Sequence, residues 1–335
     1  MVSDRAFCHP GSAHRQVAHR QRVDNKFLPR SDFIIPNSPV PEKQPVLPTA
    51  RVLGVIPARL ASTRLPRKVL REIAGKPMLA WVFEAAQRCP GLDGIVIATD
   101  SPEVAELCHA HSWPVHMTSP HLASGSDRVE AAAQEIPADI YVNIQGDEPL
   151  LEPEHLSALL RPFTNPAVQV STLRVACTPG NIRNPNAVKV VTALDGCALY
   201  FSRAPIPFDR DPQSGGQGPQ YWKHIGLYAY SAAALHRFTQ LPPSHLEQTE
   251  RLEQLRLLEN NIPVHVETVE TDTIGVDTEE DLVHVETILR ARLRQAPLHP
   301  TSVVPNESKA VVPSESKAGV EEPPPQPSHR PPSHT

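Results

Sequence analysis

Neither of the two common glycine-rich phosphate signatures occurs in this 335-residue chain, although it holds 15 glycines. Without Gly-x-x-x-x-Gly-Lys-Ser/Thr it is not a P-loop NTPase, and without Gly-x-Gly-x-x-Gly a dinucleotide-binding dehydrogenase is disfavoured. Cysteine is also scarce. The five present, Cys8, Cys89, Cys108, Cys177 and Cys197, are scattered, odd in number and lack any Cys-x-x-Cys. That argues against a disulfide framework and a zinc site, and for a reducing compartment. No apolar run approaches the ~20 residues that a membrane-spanning helix needs. Neither sign of charge dominates, since 32 basic and 37 acidic side chains are interspersed for a net −5. No whole-chain field therefore points to nucleic acid or an anionic membrane.

Sustained apolar periodicity is missing from both ends. Residues 1–50 mix Arg, His, Pro and Ser, and residues 296–335 are rich in Pro, Ser and Glu, with the segment Val303 to Ala310 recurring almost intact up to Ala318. Such stretches bury too little apolar surface to offset the entropy of ordering, so both are expected to be disordered extensions. The fold is then confined to residues 51–295, about 245 residues, a normal size for an α/β enzyme. The first 30 residues carry more Arg than acid, which leaves an organellar transit peptide open, but they lack a clean amphipathic helix. The expected location is the cytoplasm.

What is there alternates. Apolar runs at 52–56, 94–98, 115–117 and 140–144 read as short buried strands, with helical periodicity after Pro77, after Pro102 and over 127–134. Strands separated by helices imply right-handed crossovers and a mostly parallel sheet flanked by helices. The second half differs. Segments 168–176, 187–192 and 225–230 read as longer alternating strands, expected to be antiparallel and to form an inserted flap or dimerising arm. Residues 250–259 read as a helix, and Thr278 as the cap of a last helix through Leu282, Val285, Ile288 and Leu289.

Ligands on parallel sheets sit beyond the carboxyl ends of the strands, where the loops 57–68, 99–101 and 145–149 would open. The first loop carries Arg59, Arg64 and Lys68 with the hydroxyls Ser62 and Thr63, stiffened by Pro57 and Pro66. Distributed cations and hydroxyl donors suit a triphosphate; a solvated basic loop is the plainer alternative. Asp147 follows the strand at 140–144, and Asp277 lies beyond an apolar segment at 262–268. Two carboxylates gathered at strand ends make a hard oxygen site that suits Mg²⁺. The plainer alternatives are a turn residue before Pro149 and a second cap beside Thr278. Ser124-Gly125-Ser126-Asp127-Arg128 brings a turn and an arginine to a helix start, where backbone N–H groups could approach a base or ribose.

Taken together the motifs resemble a known family. In order come Val55-Ile56-Pro57-Ala58-Arg59, Ser62-Thr63-Arg64-Leu65-Pro66, Lys68, Gly75-Lys76-Pro77-Met78, Ala98-Thr99-Asp100 and Ser124-Gly125. Then follow Asn143-Ile144-Gln145-Gly146-Asp147-Glu148-Pro149, Asn184 to Val190, Tyr200-Phe201-Ser202-Arg203, His224 to Tyr228, Leu252-Glu253-Gln254-Leu255-Arg256 and Gly275-Val276-Asp277-Thr278. This set is similar to that of the 3-deoxy-manno-octulosonate (Kdo) cytidylyltransferases and spans residues 52–292. The resemblance implies a nucleotidyltransferase-like fold, usually homodimeric. It also implies the reaction of CTP with Kdo to give CMP-Kdo and pyrophosphate, with Mg²⁺, in lipopolysaccharide or related envelope synthesis. By the same resemblance Arg59, Ser62, Arg64 and Lys68 hold the triphosphate, while Arg128 and Gln145 help place nucleotide and sugar. Asp147 and Asp277 ligate Mg²⁺, and Arg203, His224, Tyr228, Glu253 and Gln254 line the sugar-acid pocket. Structural roles for Tyr228 and Glu253 remain open alternatives. One departure stands out: the family commonly has glycine just before the loop lysine, where this chain has Arg67. A cytidylyltransferase for another acidic sugar, such as 8-amino-Kdo or a sialic acid, and a non-catalytic CTP-binding regulator are the competing readings.

Overall fold

Alternation along one strand decides which side chain enters which layer. In β1 (Val52–Ala58), Val52 and Ile56 face one apolar layer and Leu53 and Val55 the other, so the strand must be covered on both sides. A computed structural model describes residues 50–60, 64–210 and 219–295 and shows those two layers. The expectations for 1–49 and 296–335, and the role given to Ser62, lie outside the described residues.

After β1 comes a short 3₁₀ turn, Lys68–Leu70, then a small hairpin of β2 (Glu72–Ile73) and β3 (Lys76–Pro77). The chain continues through α1 (Met78–Gln87), β4 (Gly94–Thr99), α2 (Pro102–Ala110), β5 (Val115–Met117), α3 (Gly125–Glu135), β6 (Ile140–Asn143) and α4 (Pro153–Leu160). The second half adds β7 (Val170–Ala176), α5 (Pro179–Ile182), β8 (Lys189–Thr192), β9 (Ala198–Ser202) and β10 (Trp222–Ser231). It closes with α6 (Ala232–Gln240), α7 (His245–Glu250), α8 (Leu255–Glu259), β11 (Val264–Val269) and α9 (Glu279–Gln295).

The central sheet runs β11-β7-β10-β6-β1-β4-β5. β6, β1, β4 and β5 are mutually parallel, as are β7 and β11, and β10 alone on this path runs antiparallel to its neighbours. The mostly parallel, helix-flanked sheet expected from the sequence is thus present. Residues 170–176 and 222–231 are strands of that sheet, while β8 and β9 pair as an antiparallel ribbon joined to it through Lys189 and Lys223. Residues 250–259 do not form one helix. Arg251 adopts a left-handed conformation (φ 55°) that ends α7, and the chain turns before α8 begins.

Successive strands β1, β4 and β5 step toward one edge, and the chain then returns to place β6 on the other side of β1. This reversal opens a crevice beyond the carboxyl ends of β1 and β6. Their two exit loops touch: a Cβ at Gly146 would stand 2.9 Å from the Pro57 carbonyl oxygen, so only glycine fits without displacing backbone. A third apolar cluster, including Leu65, Ile73, Leu150, Val276, Val285 and Leu289, packs α9 against these loops. The last helix is capped as expected. The Thr278 hydroxyl accepts from the Asp281 N–H, and the Asp281 carboxylate accepts from the Thr278 N–H.

Candidate active site

At the crevice between β1 and β6, the Lys68 ammonium donates to Asp147 Oδ2 at 2.5 Å and to Asp277 Oδ1 at 2.9 Å. Arg64 donates to the other oxygen of Asp277 at 2.9 Å. Two carboxylates 130 residues apart in sequence therefore converge on one cation. Burial alone would lower the Lys68 pKa, but the Asp147 charge and the bonds to both carboxylates outweigh it and hold the ammonium above its ordinary value. Burial would likewise raise Asp277, and Lys68 followed by Arg64 reverses that, holding its carboxyl low. The Asp277 side chain makes no bond to the α9 backbone among those described; Thr278 does the capping.

These residues line a cavity of about 400 Å³ that also includes Arg59, Ser124, Gly125, Gln145 and Gly146. Arg59 is steadied by the Leu122 carbonyl at 2.9 Å, and burial, then the Arg128 charge, lower its pKa. Arg67 lines neither this cavity nor its neighbour. It takes the left-handed conformation (φ 58°, ψ 30°) that explains a glycine preference there, and its side chain pairs with Glu103 at the start of α2.

A second cavity of about 730 Å³ adjoins the first, and Arg64 and Asp277 line both. Arg203, Lys223, His224, Glu148, Thr273 and Asn186 are among its walls. In a regular strand His224 and Tyr228 would stand roughly 13 Å apart. A bulge at 226–227 of β10 brings the Tyr228 hydroxyl to 3.0 Å from His224 Nε2, which also lies 3.0 Å from the Thr172 hydroxyl. Burial, then the Lys223 charge, push His224 down to about 3, so its imidazole is neutral at physiological pH. Gln145 donates to the Gly226 carbonyl at 3.3 Å, tying the two cavities' walls together. The Arg203 guanidinium is anchored by carbonyls of Glu250 (2.7 Å), Pro185 (2.9 Å) and Arg251 (3.2 Å).

Four of the expected residues among those described line neither cavity, Tyr228, buried within β10, being the first. Arg128 is fully buried, donating to Asp100 at 2.7 Å and to the Thr118 hydroxyl, and so fastens the segment whose Leu122 carbonyl receives Arg59. Glu253 accepts from Ser126 at 3.0 Å beneath the start of α3, and burial raises its pKa. Gln254 is buried at the entrance to α8.

The sequence reading passed over Glu148, whose carboxylate burial, then the Asp147 charge, push up to about 7. It also missed Lys223, held by both oxygens of Asp272 at 2.8 and 2.9 Å. Lys189 was missed too: it is fully buried and donates to the carbonyls of Asn184, Ala187 and Arg203 at 2.5–2.9 Å. That last cation fixes the second cavity's wall from behind.

The sequence model of the cytidylyltransferase family matches residues 53–270. A protein of Acidobacterium capsulatum named 3-deoxy-manno-octulosonate cytidylyltransferase is 63% identical over 241 residues, covering 72% of this chain and 97% of that protein. One of the same name from Koribacter versatilis is 51% identical over 256 residues, covering 76% and 97%. Among solved structures, a CMP:2-keto-3-deoxy-manno-octonic acid synthetase complexed with CTP superposes with a TM-score of 0.69 at 39% identity. It covers 72% of this chain and 99% of that one.

The burial of Arg128 sets a test. Arg128→Leu should lower unfolding stability by about 3 kcal/mol, because Asp100 is left without its cation in a mostly buried setting. Urea unfolding at constant slope measures this. A loss below about 1 kcal/mol would show that Arg128 is not a structural tie.

Proposed function

The chain belongs to the 3-deoxy-manno-octulosonate cytidylyltransferase family, and from that premise we propose that it transfers CMP from CTP to Kdo, releasing pyrophosphate. The observation that carries the reading is the pair of adjoining cavities that share Arg64 and Asp277. The first supplies Arg59, Arg64 and Lys68 for a triphosphate. The second supplies Arg203 for a carboxylate and a set of hydrogen-bonding groups for a polyol.

In this reaction a sugar hydroxyl oxygen forms a bond to the α-phosphorus while the bond from that phosphorus to the bridging oxygen breaks and pyrophosphate leaves. Lys68 and the two arginines stabilise charge on the departing group. Asp277, at the boundary of the cavities, lies where nucleotide and acceptor meet.

The donor set also fits a divalent ion. Asp147 and Asp277 offer only hard carboxylate oxygens, and both reach a single point, the Lys68 ammonium. Mg²⁺ binds through one or two carboxylates together with substrate phosphates and waters, so no larger cage is needed. We assign Asp147 and Asp277 as its ligands; when bound, it would neutralise phosphate charge and help activate the attacking hydroxyl.

Gln145 at the wall between the cavities is assigned to both substrates. His224 and Tyr228 are assigned to the sugar half, with Glu253, Gln254 and Arg128 supporting the walls from behind. A cytoplasmic location and a role in lipopolysaccharide assembly belong to the same proposal. No described helix is long and apolar enough to cross a membrane, and the described cysteines form no disulfide.

A homodimer is part of the proposal as well. Leu194 and Leu199 on the β8–β9 ribbon, and Phe208 after it, are exposed large apolar side chains, as a subunit contact requires. Sedimentation equilibrium should give twice the 36.8 kDa chain mass; a monomer mass throughout the micromolar range would remove the assignment.

Pyrophosphate release with CTP, Mg²⁺ and a panel of sugar acids tests the activity. Kdo should give the highest kcat/KM, and Asp147→Asn and Asp277→Asn should each lower it by more than about a hundredfold, in folded protein. Turnover within about threefold of wild type in both variants would remove the metal assignment. CTP binding without release on any sugar acid would favour the regulator.

A further inference from the structure

The turn at 145–149 faces two ways. Gln145, Gly146 and Asp147 line the cavity of the phosphate-loop cations, whereas Glu148 lines the neighbouring one. The residue as a whole is half-buried, but its Oε2 atom is buried and has no hydrogen-bond partner. Thr273 stands in the same cavity wall. The neighbouring cation, Lys223, is engaged by both oxygens of Asp272. A Cβ on Gly226 would stand 3.8 Å from Glu148 Oε1, an ordinary contact distance, so the β10 bulge packs beside the carboxylate without bonding to Oε2.

Buried polar atoms are nearly always paired, and an unpaired carboxylate oxygen is among the costlier exceptions. Its position in the wall of a cavity large enough for a sugar acid suggests that the missing donor belongs to the ligand. The donor cannot be the ligand's carboxylate, which when ionised has no proton to donate and would be repelled by Glu148. Hydroxyls remain, and the acid end of the substrate is left to Arg203.

We propose that Glu148 recognises a hydroxyl of the sugar acid, with Oε2 accepting its hydrogen bond. The hydroxyl is one not adjacent to the substrate's carboxylate. This rests on reading the second cavity as the sugar-acid site.

The experiment compares wild type, Glu148→Gln and Glu148→Ala in steady-state pyrophosphate release with CTP and Kdo. Sugar acids each lacking one hydroxyl extend the comparison. The KM for Kdo should rise by about ten- to a hundredfold in both variants, while that for CTP moves by less than about twofold. One deoxy sugar acid should lose a similar factor with wild type and nothing further with Glu148→Ala. The thermal midpoint of Glu148→Gln should equal or exceed that of wild type, since a buried acid has been replaced by a neutral group of the same shape.

Wild-type turnover with sugar parameters unmoved in both variants overturns this proposal alone. So does a parallel shift of both substrates' parameters with a falling midpoint, which marks a structural role. If no deoxy sugar acid loses affinity for wild type, the proposal also fails. Absence of release by wild type on every sugar acid overturns the reading of the cavity, and this proposal with it.

Discussion

The Lys68 ammonium holds the cleft together. Asp147 leaves the end of the parallel sheet and Asp277 enters the last helix, and their like charges would repel at this distance without a cation between them. With Lys68 in place, three segments remote in sequence share one point: the loop after β1, the turn after β6 and the cap of α9. Removing either acceptor would leave a half-buried cation only partly paired, so the arrangement ties each segment's position to the other two. The proposed chemistry uses the same charges: the carboxylates that hold the lysine in the free protein would hold a divalent ion once a triphosphate took over the lysine.

Backbone geometry supports that point from below. The sheet reverses its strand order at β1, so the exits of β1 and β6 open side by side, and Gly146 lets the two loops touch. From the other half of the chain, the bulge in β10 turns His224 and Tyr228 toward one another and offers the Gly226 carbonyl to Gln145. Arg64 and Asp277 belong to both cavities. The two cavities are thereby lined mainly by different halves of the chain and joined by the Arg64–Asp277 ion pair at their boundary.

Much of this was legible from residues alone, for physical reasons. β1, β4 and β6 are covered on both faces, so they read as unbroken apolar runs, and the loops after β1 and β6 carry the cations and the Gly-Asp turn in plain sight. Antiparallel partners are not written locally, which is why 168–176 and 225–230 looked like an arm and proved to be central strands. Arg251 could not be read as a helix end, because a left-handed non-glycine residue gives no sequence signal. Nothing local in the sequence marks Arg128, expected to help place the substrates, or Lys189 as buried structural cations. Their partners, Asp100 and Thr118 for one and three backbone carbonyls for the other, come together only in three dimensions. Glu148 was hidden beside a more conspicuous aspartate.

The claim that Lys68 and a divalent ion compete for the same two carboxylates can be measured directly by titrating Mn²⁺ into nucleotide-free protein and following it by electron paramagnetic resonance. Lys68→Met removes the competing charge and leaves Asp147 and Asp277 facing each other, so Mn²⁺ should bind the variant at least about tenfold more tightly than wild type. Equal or weaker binding by the variant would contradict the account.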